Sequence, residues 1–400
     1  MLKKRILFYL TLYIFLYNPP LRFFRGVNLS YVLTVVGLYV LLRNLTSLKK
    51  YCMTFRIEVL IFLSILLYVI IRSAGIGQNL IIIRHVLGVS KFLVLIPFML
   101  YFARKMGMYS EKELIRSFLI VSAVAGCFSM LCAYSPGFDN YVRNRLLNYE
   151  EGEYGMRVSY RAFGIASALT GYYGYIQGTL AAVGLLYIKE NKWFILFLPI
   201  VYFSALVNAR TGVLISIWGI AVFMMSRNTK YVYPVAGLLI FLVVSPTSFM
   251  RFFNLNEYTV AWILDFQDQL GDMEDARILK TLFQSMMILP ETTSEWIIGK
   301  GVSLFSLGYG EAHSDVGWFI QLYYGGILYL IILYSIIVYM SIRLVSNRYF
   351  LYMYFLVGTF VIINTKSSFY PGNGEFTLLL FLYCIYILKS TYVKGKALLV

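Results

Sequence analysis

Charge is scarce in this chain. Only 14% of its 400 residues are Asp, Glu, Lys or Arg, while 60% are hydrophobic, and the mean hydropathy is +0.73. Soluble domains carry about a quarter of their residues as charges, so a water-soluble globule is excluded. Histidine is limited to two residues and cysteine to four. No Cys, His and carboxylate cluster occurs at ligand spacing, and Asp265-Phe266-Gln267-Asp268 is too loose for a metal-binding carboxylate pair, so neither a tightly bound metal nor a cofactor is expected. Cys52, Cys127, Cys132 and Cys384 fall at membrane or cytoplasmic positions, which leaves no disulfide framework. A Gly-rich phosphate loop and a dinucleotide fingerprint are missing, and no cytoplasmic stretch is long enough to fold by itself. Both nucleotide-sugar transfer in a soluble domain and ATP-driven transport are disfavoured on that ground.

Apolar sequence is what the chain has in abundance. At ~20 residues per crossing it suffices for about ten to twelve helices. The ~10-residue alternation of a β-barrel is not seen; runs such as Val235 to Val244 and Ile327 to Met340 are apolar on every face. The expected fold is all-α, a polytopic membrane protein of about 12 transmembrane helices with one long external loop. Spans are expected at Ile6 to Tyr17, Val27 to Leu42, Ile57 to Ser73, Leu80 to Phe102, Leu114 to Tyr134 and Ala162 to Ile188, then at Trp193 to Val207, Thr211 to Met225, Tyr231 to Phe249, Val316 to Ile342, Tyr349 to Thr365 and Phe376 to Leu388. The first is short and ends at Asn18-Pro19-Pro20 without a small-residue cleavage site, which argues for a retained span. Residues 1–249 then hold nine helices with an external loop at 135–161, residues 250–315 form the long external loop, and residues 316–400 hold three helices and a cytoplasmic tail.

The net charge of +16 follows this topology. With the N-terminus inside, the cytoplasmic pieces hold 20 basic and four acidic residues, and the external pieces 13 basic and 15 acidic. The positive-inside rule holds along the chain. The excess charge therefore points to an anionic inner leaflet, with membrane lipids as partner and no nucleic acid. The 35 Tyr and 31 Phe fit interfacial belts and can also stack on sugars.

Connections in membrane proteins stay short unless they have a task, so the two long external loops draw attention. The first carries Arg157 and Arg161, which can bind an anionic sugar or carrier phosphate or simply be solvated. In the second, Leu279, Leu282, Phe283, Met286 and Met287 recur at helical spacing before Pro290, predicting an amphipathic helix along the membrane surface. Arg210 stands at the external end of a helical hairpin in Asn208-Ala209-Arg210-Thr211-Gly212, either as a snorkelling anchor or as an anion ligand. Further on come Arg277, Ile298-Gly299-Lys300-Gly301, then Glu311 and His313 just before the tenth span, which Gly325-Gly326 interrupts. Arg84, followed by His85, lies near the outer end of the fourth span, either lining a lipid entrance or paired to a neighbouring carbonyl.

This ordered set resembles the bacterial O-antigen polymerase and O-antigen ligase superfamily of membrane glycosyltransferases, over about residues 160–330. Asn208 to Gly212 looks like that family's Ser-Arg-Gly-like turn, Arg277 like its loop-helix arginine, Ile298 to Gly301 like its apolar-Gly-x-Gly turn, and His313 like its His-Asn-like motif. Asn208-Ala209 and Ser314-Asp315 depart from the pattern. The resemblance implies a GT-C-like architecture and transfer of glycan from an undecaprenyl-diphosphate-linked oligosaccharide to an acceptor hydroxyl on the outer face of the inner membrane. A chain-length regulator protein is an implied partner. The chemistry suits the residues. Arginine's planar fork can hold diphosphate oxygens without a metal, which nominates Arg210 and Arg277. A neutral His313 is a fitting general base, with Glu311 as runner-up. A polymerase is expected first, a ligase acting on lipid A core next, and a glycan flippase as a different class.

Overall fold

The computed structural model describes residues 2–24, 29–76, 79–107, 111–147, 162–166, 172–187, 193–225, 237, 286–302, 304, 314, 316–346 and 349–366. Among these residues the fold is all-α. Four helical segments are long and apolar enough to cross a membrane: Arg56–Ala74, Ile81–Lys105, Glu113–Tyr134 and Gly317–Ser346. A fifth is added if the bent pair Leu29–Leu42 and Leu45–Thr54 counts as one span. The chain is thus a multi-pass membrane protein. The expected spans at 231–249 and 376–388 lie outside the described residues.

The helices are α1 (Leu2–Tyr17), α2 (Leu29–Leu42), α3 (Leu45–Thr54), α4 (Arg56–Ala74), α5 (Asn79–Ser90), α6 (Ile96–Lys105) and α7 (Glu111–Tyr134). They continue with α8 (Pro136–Tyr141), α9 (Tyr172–Tyr187), α10 (Phe194–Leu206), α11 (Arg210–Met224), α12 (Thr293–Ile298), α13 (Gly317–Ser346) and α14 (Phe350–Lys366). Between α5 and α6, a wide π-helical turn at Lys91–Leu95 precedes Pro97. Proline has no N–H to offer a carbonyl four residues back, and the wider turn absorbs the loss without ending the helix. Two compact units result, residues Met1–Leu33 with Phe102–Glu274 and residues Thr34–Tyr101 with Asp275–Val400.

In the first unit, α9 packs on α11 backbone to backbone. A Cβ at Gly178 would stand 2.1 Å from Gly212 O, one at Gly212 2.2 Å from Gly174 O, and one at Gly174 2.3 Å from Ala209 Cβ. The Gly174-x-x-x-Gly178 spacing puts both glycines on one face, and in lipid such close approach stands in for a hydrophobic driving force. Ser216 Oγ donates to Gly212 O at 2.9 Å in the same seam.

The second unit gathers α4, α5, α13 and α14. Arg343 Nη1 donates to Glu58 Oε1 at 2.6 Å, joining one end of α4 to the end of α13; Glu58 is 1% exposed. Phe62 stacks on Phe92 at 3.8 Å between ring centroids, packing α4 on the turn after α5.

Several expectations are corrected. Within the span expected from Ala162, residues 162–166 form a non-helical turn pressed on α7, with Gly164 at φ 61°, residues 167–171 lie outside the described residues, and helix is described over Tyr172–Tyr187. The stretch between the second and third expected spans holds the helix α3, bent 104° from α2. Met286 and Met287, assigned by periodicity to an amphipathic helix, are non-helical, and Leu279, Leu282 and Phe283 lie outside the described residues. The interruption expected at Gly325-Gly326 in the span Val316 to Ile342 is present, as a break at Gly326 (φ 64°, ψ −168°).

The glycine seam makes a testable claim. Gly212→Val forces a branched side chain into backbone 2.2 Å away, and overpacking of this kind costs about 1–3 kcal/mol or more. A clear drop in melting temperature in detergent is expected, whereas Gly137→Ala, with no atom within 4 Å of its Cβ, should melt like the wild type.

Candidate functional site

The break in α13 is the feature that organises the second unit. In an unbroken helix Trp318 and Tyr334 would lie about 24 Å apart at 1.5 Å per residue, yet their rings meet at 5.3 Å. Tyr334 also donates its hydroxyl to Gln321 Oε1, and Gln321 reaches Asn364 on α14 at 3.2 Å. The segment before Gly326 therefore folds back as one arm of a V. The other arm, from Ile327 to Ser346, is by itself about 30 Å long, the thickness of a bilayer core.

Breaking a helix frees the carbonyls just before the break. Here Tyr323 O accepts from Lys300 N at 2.7 Å and Tyr324 O from Gly301 N at 2.8 Å. Gly325 O accepts from the Tyr68 hydroxyl at 2.6 Å, and Ile298 O lies 3.1 Å from the same oxygen. The carbonyls of Tyr323, Tyr324 and Gly325 are thus met, by a loop backbone or by a tyrosine on α4. The loop can come this close only through glycine: a Cβ on Gly299 would sit 2.3 Å from Tyr324 O, and one on Gly326 2.4 Å from Ile297 O. Gly299, Gly301 and Gly326 all have positive φ, at 70°, 77° and 64°.

The loop that docks is built locally by α12. Thr292 caps its N-terminus in a capping box with Glu295: the Thr292 hydroxyl accepts from Glu295 N, and Glu295 reaches back to Thr292 N at 3.3 Å and Glu291 N at 2.9 Å. These backbone N–H groups, Glu291 first, hold the Glu295 carboxyl below the usual carboxylate range. Lys300 is pushed above the usual lysine value by the Tyr323 side chain and then by Glu291, 3.4 Å away. All three N–H groups of Gly299, Lys300 and Gly301 are spent on Glu295 O, Tyr323 O and Tyr324 O. The Gly-x-Gly turn is therefore a docking element, with no N–H left to cradle a phosphate.

Around the apex stand side chains that the pattern of motifs did not single out. Arg72, at the end of α4, donates to Gly299 O, while its Nε is buried without a hydrogen-bond partner among the described residues. Ser73 Oγ and the Tyr324 hydroxyl are 2.7 Å apart. His85 Nδ1 donates to Ile81 O at 2.9 Å, so Nε2, 3.1 Å from the Tyr329 hydroxyl, is the acceptor in neutral imidazole. The signal available in sequence was the Tyr68 to Arg72 spacing of four, one helix face at the end of an apolar run.

Of the residues expected at a site, Arg84 is exposed on α5, while its neighbour His85 is buried against Tyr329. Arg210 opens α11 in the first unit and is half-buried. Arg157, Arg161, Arg277, Glu311 and His313 lie outside the described residues. Of the seven expected residues only Arg84, in the second unit, and Arg210, in the first, are among the described ones. Two residues beside them are informative. Asn208 is fully buried, its Nδ2 within 2.7 Å of Ser204 O and 3.0 Å of both Ser129 Oγ and Ala162 O. Ser314, which follows His313, is also fully buried; its hydroxyl donates to Met286 O at 2.8 Å and accepts from Val316 N at 3.2 Å. Among the described residues no group of three His, Cys, Asp or Glu side chains can hold a metal ion.

Two measurements test this geometry. Gly326→Ala carries a Cβ into Ile297 O as well as a left-handed backbone, whereas Gly107→Ala, at φ 78° with nothing within 4 Å, bears only the backbone strain of about 1–2 kcal/mol. The first should lower the melting temperature by more than the second. For Glu295, whose folded pKa is lowered, stabilisation is present above the ordinary carboxylate pKa and is lost as pH falls through the folded value. The melting-temperature difference between wild type and Glu295→Gln should therefore shrink as pH falls below the ordinary carboxylate range. Comparison of the chain with protein-family models, curated proteins and solved structures finds no match.

Proposed function

We propose that the protein is a membrane glycosyltransferase of about twelve spans and GT-C-like architecture. It joins polyprenyl-diphosphate-linked oligosaccharide repeat units into an O-antigen, capsular or exopolysaccharide on the outer face of a bacterial inner membrane. The observation that carries the reading is the seating of Ile298 to Gly301 in the break at Gly325-Gly326, two segments 24 residues apart by number. The Ile298 to Gly301 turn, which lies between Arg277 and His313 in sequence, thereby seats against a non-helical apex within a membrane helix, where backbone irregularity is tolerated only against protein or a water-filled cavity.

In this reaction the acceptor hydroxyl oxygen attacks the anomeric carbon and the bond to the diphosphate oxygen breaks. The hydroxyl proton passes to His313, and the diphosphate leaves with its added charge held by Arg277 and Arg210. Arg157, Arg161 and Arg84 would assist in receiving the anionic carrier, and Glu311 would stand beside the base. Transfer to lipid A core in place of a growing glycan uses the same donor and the same steps, and makes the ligase the close alternative. The broken α13 also favours a second reading, a lipid-linked glycan flippase, since interrupted spans recur in transporters.

A deletion strain separates the three. Single repeat units on lipid A mean a lost polymerase, long glycan retained on carrier lipid a lost ligase, and lipid-linked units trapped in the cytoplasm a lost flippase. Within the favoured reading, His313→Ala should accumulate normally in membranes and make no polymer. Arg277→Lys keeps the charge but not the two-pronged donor, so it should lose about 10²- to 10³-fold in rate with purified protein, nearly as much as Arg277→Ala. Wild-type chain lengths from His313→Ala, or substantial activity in Arg277→Lys, overturn those assignments.

A further inference from the structure

One helix of the second unit does not run with the spans. α3 leaves α2 at 104° and ends at Thr54, just before α4 begins at Arg56. α4 has 19 residues, about 28 Å at 1.5 Å per residue, close to the ~30 Å of a bilayer core. Its first residue therefore stands at one edge of that core. α3, turned nearly square to α2 at the same edge, lies along the membrane surface.

One face of α3 is held by the protein. Asn44, Leu48, Tyr51 and Phe55 recur at helical spacing on that side. Tyr51 is 6% exposed and Phe55 1%, with their rings 4.9 Å apart, and Asn44 Oδ1 accepts from the Tyr101 hydroxyl at 3.1 Å. The remaining surface is open. Leu45 is 60% exposed and Met53 67%, and Cys52 is exposed with them. Lys49 and Lys50 are exposed on the same helix, and Arg43 and Arg56 are exposed at its two ends.

The charge of this edge is of one sign. Residues 43–58 hold four cations and a single acid, Glu58, and that acid is buried on Arg343. At 100° per residue Leu45 and Cys52 share one flank of α3 and Lys50 takes the opposite one, with Lys49 and Met53 between them. A helix with this division settles in an interface, its apolar flank toward acyl chains and its cations toward headgroups. The cations also assign the edge to the cytoplasmic side, where anionic lipids give the surface its negative potential.

We propose that the open face of α3 is a binding site for anionic phospholipid, at which Lys49 and Lys50 gather negatively charged headgroups while Leu45, Cys52 and Met53 reach the acyl chains. Lipid fits this face better than an acidic protein does, because more than half of Leu45 and of Met53 is open at the level where α4 enters the bilayer core. An ammonium acts on a headgroup as a point charge, so arginine should replace these lysines without loss and salt should weaken the preference. The site is independent of the reaction the protein carries out.

The test reads lipid composition beside α3. Full-length protein, with Cys127, Cys132 and Cys384 replaced by serine, carries a bimane fluorophore on Cys52 in nanodiscs of mixed phosphatidylcholine and phosphatidylglycerol. Quenching is compared when a nitroxide-bearing lipid, at one fixed mole fraction, has a phosphatidylglycerol or a phosphatidylcholine headgroup. Phosphatidylglycerol should quench about threefold more strongly. The ratio should fall toward one in Lys49→Gln/Lys50→Gln, and in about 1 M salt, where the Debye length is ~3 Å. It should survive in Lys49→Arg/Lys50→Arg. It should also survive in Arg22→Gln/Arg145→Gln, which removes two exposed arginines of the first unit.

A wild-type ratio near one means that α3 meets the bilayer without selecting its lipids, and overturns the site. A raised ratio that the glutamine pair leaves intact overturns the assignment to Lys49 and Lys50. Absence of quenching by either lipid takes α3 out of the bilayer and overturns the proposal as a whole. Should the label on Cys52 lower the melting temperature, Met53→Cys combined with Cys52→Ser carries the same measurement from a neighbouring exposed position.

Discussion

A carbonyl released from a helix inside or at the edge of a bilayer has no water to turn to, and each one left unmet costs several kcal/mol. The apex of α13 is arranged around that constraint. Gly326 adopts a conformation that ends one helix arm and starts another, and Tyr323, Tyr324 and Gly325 are left with carbonyls that the next turn can no longer reach. Lys300, Gly301 and Tyr68 supply the donors. The docking of the loop, the positive φ at its glycines and the placing of Tyr68 on α4 all follow from the need to satisfy one broken turn of backbone.

The first unit solves a related problem with the opposite means. Its helices are unbroken where α9 meets α11, so their backbone is already satisfied, and glycine serves there to bring two helices into contact. Polar side chains then complete the seam from within. Gln177 reaches Tyr173 and Ser122 O, and Asn208 draws together Ser204, Ser129 and the turn at Ala162. Asn208 thereby fixes the end of α10, the start of α11 and the segment after the external loop with one amide, two residues before Arg210. In apolar surroundings such an amide specifies geometry, because every alternative packing leaves its donors unmet.

Charge is used sparingly and at the ends. Glu58 and Arg343 form an ion pair with the acid buried, joining α4 and α13 at one end, while Tyr68 and Arg72 join the same two helices and the loop at the other. Removing one member of such a pair leaves a buried charge, which is far worse than removing both. The two helices are thus joined by directional contacts at both ends of α4, while Phe62 packs α4 on the turn after α5 through Phe92. That leaves the junction at the apex as the place where a change in the loop and a change in the membrane helix must occur together.

Sequence by itself determined the solvent of this protein and the elements that cross it. Apolar runs of the length of α4 or α7 admit no fold but a helix in lipid, because only a helix or a closed barrel satisfies its own backbone there. The glycines at 299, 301, 325 and 326 and the punctuation at Pro290 were equally legible, since those residue types announce breaks whatever surrounds them. What they are breaks for was not. Periodicity continued Met286 and Met287 into a helix, and Gly325-Gly326 marked an interruption of the tenth span without showing what would meet its carbonyls, because local pattern contains no term for a carbonyl satisfied from 23 residues away. Tyr68 and Arg72 carried the mark of no motif in the sequence, and Asn208 was read only as part of the turn that holds Arg210. Only the tertiary structure decided otherwise, because a side chain's task in lipid is set by which unmet backbone group lies within hydrogen-bond reach, and that depends on how the helices pack.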